Sequence, residues 1–225
     1  MMPPAKIPPS SPAAHRPATP RRRRKDARPA ELLAAALDLF VEKGFAATRL
    51  EDVAARAGVA KGTLYLYFDN KEALFRAVVE QGIVPLFVAV ESEIADYRGS
   101  AADLLIALLG RWQRDVGATP LAGLYKLIIA EANNFPELAR YYNDAVIARG
   151  RALLGEVLRY GIACGEFRAV DDVDSAIDAI IAPLLMLVVW RFSLAHCARE
   201  VDPEAMLRTH FELLMHGLCV QKRKP

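Results

Sequence analysis

From position 29 onward, apolar residues recur with the three- and four-residue spacing of helices, and no strand-like alternation is seen. The first stretch, 29–43, starts with Pro29, has one apolar stripe and is followed by Gly44, as expected for a helix. The same criteria predict an all-α fold of about nine helices. They span residues 29–43, 48–58, a short segment from 61, 71–97 with a kink at Pro85, 101–117, 121–133, 137–164, 171–198 and 203–219.

Two of the short predicted helices are joined by residues 57–60, which contain Gly58 and have the form of a helix-turn-helix. Thr48 and Glu51 have the T-x-x-E spacing of a capping box, which predicts that Thr48 caps the first of the two. In such a unit, the second helix enters the major groove of DNA with its N-terminal residues against base edges. We expect this second helix to begin at Lys61.

The second helix of this unit carries side chains that suit a DNA groove. Lysine and tyrosine can bond phosphates, the Thr63 methyl fits a thymine methyl, and Gly62 permits a close backbone approach. Leu64 and Phe68 lie four residues apart and are predicted to belong to the core. Which tyrosine contacts a base and which only a phosphate is left open, and a solvated surface position is the alternative for both lysines. The predicted DNA contacts are Thr48, Lys61, Gly62, Thr63, Tyr65, Tyr67 and Lys71.

Residues 1–25 hold seven basic residues and no acid, although the net charge of the whole chain is only +2. Such a segment cannot bury enough apolar surface to fold alone, so we predict a disordered basic arm. A basic arm on a mildly acidic body indicates a polyanion partner. We expect the arm to follow the DNA backbone or to enter the minor groove, with a solvated tail as the alternative. Its predicted DNA contacts are Arg21, Arg22, Arg23 and Arg24.

A longer run around this unit reads ALDLFVEKGFAATRLEDVAARAGVAKGTLYLYFDNKEALFRAVVE. It has Tyr65 and Phe68 in the recognition helix, followed by Lys71 at the start of the next helix. On these residues, the segment from about 26 to 82 resembles the DNA-binding domain of the TetR family of transcriptional regulators. One departure is Tyr67, where many relatives have histidine. The stretch IIAEANNFPELARYY resembles, more weakly, the C-terminal domains of an AefR-like subgroup of this family.

The resemblance implies a homodimeric, all-helical regulator of double-stranded DNA. Residues 26–86 would bind a palindromic operator, and residues 87–225 would form a larger helical bundle for ligand binding and dimerisation. The last two helices of each subunit would pack as a four-helix interface. The implied function is that of a repressor which a small hydrophobic effector releases from its operator. A DNA-binding factor without a ligand, and an activator, are the alternatives.

The predicted helix 171–198 is apolar over well more than half of its circumference. A helix that is apolar nearly all round is buried on more than one side, here by its own core and by a partner subunit. A central helix of a monomer is the alternative. The predicted interface residues are Ile177, Ile181, Leu184, Val188, Leu207, Phe211 and Leu214.

Several large side chains on the C-terminal helices could line a ligand pocket, although such residues are more often plain core. The predicted pocket residues are Phe87, Trp112, Tyr125, Met186 and Trp190.

Other classes of function lack the residues they need. The sequence has no P-loop, no GxSxG and no paired nucleophile and base, so we predict neither an enzyme nor a cofactor. Three cysteines without CxxC spacing predict no metal site and fit a reduced cytoplasm. The longest apolar run, 179–190, is shorter than the roughly 20 residues that span a bilayer, so no membrane partner is expected.

Overall fold

The computed structural model describes residues 23–196 and 201–220, and over these residues the chain is all-helical, as predicted. The nearest approach to a strand there is one isolated bridge between Phe167 and Cys219. The helices are α1 (Arg23–Ala47), α2 (Leu50–Arg56), α3 (Lys61–Tyr65), α4 (Lys71–Gly82), α5 (Val84–Ala95), α6 (Ala101–Trp112), α7 (Ala122–Glu131), α8 (Pro136–Tyr142), α9 (Ala148–Ala163), α10 (Val173–Phe192) and α11 (Pro203–Leu218). Two π-helical turns, Gln113–Gly117 and Asn143–Ile147, prolong α6 and join α8 to α9.

The first helix begins at Arg23, six positions before the predicted start. The predicted disordered arm therefore overlaps α1 by three residues, because the arginine, lysine and alanine of this segment are good helix formers. The rest of the arm, with Arg21 and Arg22, lies outside the described residues. The helical path breaks at Gly44, whose φ of 82° is the conformation that glycine adopts most readily.

The predicted capping box at the start of α2 is wrong. Arg49 occupies the N-cap position and makes no side-chain cap. Thr48 is 2% exposed, and its hydroxyl lies 2.7 Å from the carbonyl oxygen of Gly44 and 3.1 Å from that of Leu39. The helical path of α1 breaks at Gly44, and the threonine hydroxyl donates to these two carbonyl oxygens at and before the break. By contrast, Asn70 caps α4 by accepting a hydrogen bond from the Ala73 N–H.

The predicted helix 71–97 is two helices, which meet at Ile83. Pro85 lies in the first turn of α5, where its missing N–H costs no helical hydrogen bond. The segment Lys71–Ala95 and helix α10 are both long and apolar enough to cross a membrane by length and composition alone. Both also place residues such as Val79 and Ile180 in the protein core.

Two main hydrophobic cores stabilise the fold. The first lies among α1–α4 and is completed by α7 and α8, so packing crosses the predicted domain boundary at residue 86. Its centre is a group of rings, in which Phe45 lies 5.6 Å from Phe40, 6.0 Å from Phe75 and 4.8 Å from Phe135 between centroids. The second core lies among α6, α9, α10 and α11.

Candidate DNA-binding surface and ligand cavity

The short helix α3 has one buried face and one exposed face. Leu64 is fully buried and Phe68 packs against the first core, as predicted. Tyr65 and Tyr67 are 41% and 38% exposed on the outer side. The preceding turn has the predicted geometry, with Gly58 at a φ of 66°. Both tyrosines are therefore exposed to solvent. Leu64 and Phe68, on the opposite side, attach this segment to the first core.

The exposed residues at the start of α3 form a small connected group. Lys61 and Gly62 are exposed and Thr63 is half-buried. The Lys61 ammonium forms an ion pair with the Glu51 carboxylate at 2.6 Å and lies 5.7 Å from the centre of the Tyr65 ring. The hydrogen bond that the Lys61 ammonium donates to the Glu51 carboxylate raises the pKa of Lys61. The ion pair also links α2 to α3.

Two predicted DNA contacts point into the protein. The side chain of Thr48 is buried and its hydroxyl is used by α1, so it offers no surface to a duplex. The Lys71 ammonium donates to the carbonyl oxygens of Phe45 at 2.6 Å and Ala46 at 3.1 Å, and partial burial lowers its pKa. Because a cation stabilises the C-terminal end of a helix, Lys71 secures the end of α1 in this structure, and its contact with DNA stays a prediction.

Two surface residues near α3 were missed by the sequence analysis. Arg49 is exposed at the start of α2, and its side chain has no ion pair or hydrogen bond with any described residue. Leu66 is 82% exposed, directly between the two tyrosines. The four-residue spacing of Leu64 and Phe68 places Leu66 on the opposite side of the helix, which is a signal that could have identified it.

A cavity of about 260 Å³ lies among α5, α6, α7, α9 and α10, and its walls are mostly apolar. Of the predicted pocket residues, Phe87, Trp112 and Tyr125 line it, while Met186 and Trp190 do not. The reason is the helix periodicity of α10. Leu184 and Leu185 face the cavity, so Met186, one or two residues further, is turned outward and is 37% exposed.

Six polar side chains also line the cavity. They are Arg111, Asp115, Tyr125, Tyr142, Arg151 and Asp178. Each arginine is held by carboxylates, with Arg111 2.6 Å from Glu93 and Arg151 3.2 Å from Asp174. Tyr142 was not predicted to line the cavity, because the sequence of α8 does not indicate which of its two adjacent tyrosines turns inward.

The two π-helical turns lie on walls of this cavity. The turn Gln113–Gly117 contributes Val116, and the turn Asn143–Ile147 contributes Val146 and Ile147. π-Helical turns in proteins are frequently found at functional sites. Both turns widen a long helix where it passes the cavity, and hydrophobic spacing alone did not predict them.

Helix α7 connects the cavity to the helix-turn-helix. Its first half contributes Ala122 and Tyr125 to the cavity wall. Its last residue, Glu131, accepts a hydrogen bond from the Ala46 N–H at 3.1 Å. Ala46 lies two residues before Thr48, where the chain turns into α2. A displacement of α7 at the cavity would therefore reach the base of the helix-turn-helix through one rigid element.

The predicted dimer interface needs correction at the residue level. Four of its residues are buried within the protomer, and a fifth, Ile181, lines the cavity. The buried four are Ile177, Leu184, Val188 and Leu207. The remaining two, Phe211 and Leu214, are half-buried and pack against the second core. Because α10 is apolar nearly all round, its sequence could not show which side faces outward.

A different apolar surface is exposed on the last two helices. Ala179, Ala182 and Met186 lie on one face of α10 at helical spacing, and all three are exposed. On α11, Leu213 is 69% exposed. We call these four residues the outer face.

The chain was compared with families of known proteins and with curated relatives. Residues 32–78 match the family of bacterial regulatory proteins, tetR family, and residues 95–194 match the tetracyclin repressor-like C-terminal domain. The HTH-type regulator YfiR of Bacillus subtilis is 42% identical over 148 residues, which cover 65% of this chain and 71% of YfiR. RutR of Escherichia coli strain K12, an HTH-type transcriptional regulator, is 30% identical over 183 residues, covering 76% and 74%.

Solved structures share the fold. FadR from Bacillus subtilis, in complex with stearoyl-CoA, superimposes with a TM-score of 0.70 at 24% identity, covering 84% of this chain and 98% of FadR. The finer resemblance to an AefR-like subgroup is not tested by these matches and stays a prediction.

Proposed function

Since the chain belongs to the TetR family and is a DNA-binding transcriptional regulator, we propose that it is a repressor which a small apolar ligand releases from a palindromic operator. It would act in the cytoplasm as a homodimer, and the proposal includes no catalytic step. The cavity is the observation that supports a ligand response. Helix α7 forms part of its wall and, through Glu131, also accepts a hydrogen bond from Ala46 at the end of α1, beside the helix-turn-helix.

For the DNA contact, we propose the exposed side of α3. Tyr65, Tyr67 and Lys61 would meet the major groove and its phosphates, with Gly62 and Thr63 at the closest approach. The exposed Arg49 at the start of α2 would add a phosphate contact. The arginines of the basic arm, Arg21 to Arg24, would add further contacts that carry no sequence information.

For the dimer, we propose that the outer face of α10 and α11 packs against its copy around a two-fold axis. Alanines on this face permit a close approach of helices, and Met186 and Leu213 supply apolar area. Two recognition helices about one DNA turn apart, roughly 34–36 Å, would then read the two half-sites. A ligand that prefers a different spacing of these helices would weaken operator binding.

The test begins with selection of bound fragments from genomic DNA, which supplies an operator. We expect Tyr65→Ala to lower affinity for that operator by about ten- to a hundredfold, measured by fluorescence anisotropy, because a groove contact contributes about 1–3 kcal/mol. Val88→Ala, which changes an exposed residue of α5, is the matched control and should bind as the wild type does. Wild-type affinity of the Tyr65 variant would remove Tyr65 from the DNA contact.

A further inference from the structure

The cavity contains two phenols that have no partner. Tyr125 and Tyr142 both line it, and neither hydroxyl has a hydrogen bond with any described residue. Tyr142 is only 3% exposed, so bulk water barely reaches it. Its neighbour Tyr141 differs, because that hydroxyl lies 3.2 Å from the Arg76 carbonyl oxygen. Buried hydroxyl groups are normally paired, so two unpaired ones on one cavity call for a partner inside it.

These hydroxyls are open to the cavity rather than sealed in the protein. Among the described residues, Gln113 Oε1 is the side-chain polar atom that is both fully buried and without a hydrogen-bond partner. The two phenol oxygens also lack a partner, but they are not fully buried. Each phenol oxygen therefore keeps some accessible surface. Because Tyr142 is almost completely buried, we infer that the accessible part of its hydroxyl faces the cavity.

Both phenols remain neutral hydrogen-bond donors. Burial raises the pKa of Tyr125, and burial together with the nearby Tyr125 phenol raises the pKa of Tyr142. Both phenols line the same cavity, Tyr125 from α7 and Tyr142 from the end of α8. A ligand in this cavity could therefore accept hydrogen bonds from them.

The charged groups that line the cavity leave no free cation for an anionic ligand. Two arginines are present, and each is held by two carboxylates. The ion pairs are Arg111 with Glu93 and Asp115, and Arg151 with Asp174 and Asp178. Each arginine thus has one carboxylate partner on the cavity wall and a second one beside it. An anionic ligand would lose its hydration and gain no countercharge, which is strongly unfavourable.

We propose that the cavity binds an uncharged, largely apolar molecule with one carbonyl-type oxygen, which accepts hydrogen bonds from Tyr125 and Tyr142. The inference rests on the proposed ligand response and names the chemical class of its ligand. The volume of about 260 Å³ lies just below the roughly 300–1,000 Å³ typical of ligand sites, so the molecule is small.

Tyr142 also gives such a ligand a direct route to the DNA-binding domain. Its ring belongs to the first core, where it lies 6.5 Å from the Phe75 ring of α4. A ligand bonded to its hydroxyl would therefore contact a residue that packs against α4. Helix α7, which carries Tyr125, offers the second route through Glu131.

The experiment uses the full chain and the fluorescence of Trp112, which lines the cavity. A Trp190→Phe background removes the only other tryptophan. Three probes are titrated without DNA: methyl octyl ketone, decanoate with the same number of carbon atoms, and stearoyl-CoA. We expect the ketone to bind about tenfold more tightly than either anion at neutral pH, since an unpaired buried charge is penalised.

Two matched variants test the phenol contact. Tyr142→Phe keeps the ring in the first core and should weaken ketone binding about three- to tenfold, the effect of one lost neutral hydrogen bond. Tyr141→Phe, which removes the adjacent hydroxyl outside the cavity, should bind the ketone as the wild type does. Stronger binding of decanoate or stearoyl-CoA, no binding of the ketone, or unchanged binding by Tyr142→Phe would each overturn the inference.

Failure of the proposed function gives a different result. Operator affinity is measured separately, with and without saturating ketone. Ketone that binds as expected but leaves operator affinity unchanged would contradict the ligand response and leave the ligand class in place. Operator release by stearoyl-CoA, with no effect of the ketone, would support the ligand response and overturn the ligand class.

Discussion

At the scale of single residues, the ion pair between Lys61 and Glu51 would have to be broken before Lys61 could bind a DNA phosphate. Both side chains are well exposed, at 60% and 48%, so water screens the pair and it contributes little to stability. A phosphate approaching α3 would compete with the Glu51 carboxylate for the same ammonium. Glu51 would also repel that phosphate directly.

We therefore expect Glu51→Gln to raise operator affinity, by about two- to fivefold at low salt, because the competing carboxylate is lost. The measurement is fluorescence anisotropy over a series of salt concentrations, in which the gain should shrink as salt screens the charges.

A double-mutant cycle with Lys61→Met separates the two effects of Glu51. If Lys61 is the group released, the gain should be smaller in the Lys61→Met background than in the wild type. An equal gain in both backgrounds would show that Glu51 acts only by repelling DNA.

Residue roles were predictable from sequence where a spacing separates two faces, and not where a polar side chain turns inward. The four-residue spacing of Leu64 and Phe68 correctly separated core from surface on α3. Thr48 and Lys71 are polar and were expected at the surface. Both instead satisfy carbonyls at the distorted end of α1, a demand created by the break at Gly44 that single-residue patterns do not display.

At the scale of elements, Thr48 holds the junction of α1 and α2. Its hydroxyl donates within the protein interior, next to the point where the chain leaves α1. We expect Thr48→Val, which keeps the shape, to lower the free energy of unfolding by about 1–3 kcal/mol, because buried carbonyls lose their donor. Urea denaturation followed by circular dichroism measures this loss.

Thr48→Ser is the matched control, since it keeps the hydroxyl and removes only a methyl group. It should be more stable than the valine variant. Equal stability of Thr48→Val and wild type would show that the hydroxyl is not needed at the junction.

Helix positions were mostly predictable because amphipathic spacing, proline and glycine mark them. The start of α11 at Pro203 and the break near Pro85 follow such signals. The two π-helical turns and the outward side of α10 were not predicted, because no such signal marks them. An evenly apolar helix such as α10 has no preferred side.

At the scale of the whole molecule, the cavity and the proposed DNA-binding surface share structural elements. The first core is closed by α7 and α8, which also line the cavity. Tyr142 belongs to both. On the proposed function, a change of packing at the cavity would alter the support of α4, and with it the orientation of the helix-turn-helix.

In the proposed dimer such a change would matter, because operator binding would need both α3 helices at one spacing. We expect Leu213→Lys, on the outer face, to raise the dimer dissociation constant by at least about thirtyfold, since burying an unpaired charge in an interface costs about 2–5 kcal/mol. Light scattering after size-exclusion chromatography should show monomers at concentrations where the wild type is dimeric, and operator affinity should fall with it. Leu213 is 69% exposed, so the protomer should stay folded.

Ile129→Lys provides the matched control, because Ile129 is another exposed apolar residue, 59% exposed, on α7 and away from the outer face. This variant should remain dimeric. If Leu213→Lys stayed dimeric as well, the outer face would not be the interface. If both variants became monomeric, the loss would reflect added charge rather than the position of Leu213. Only the combination of a monomeric Leu213 variant and a dimeric Ile129 variant supports an interface on α10 and α11, where the spacing of the two α3 helices is fixed.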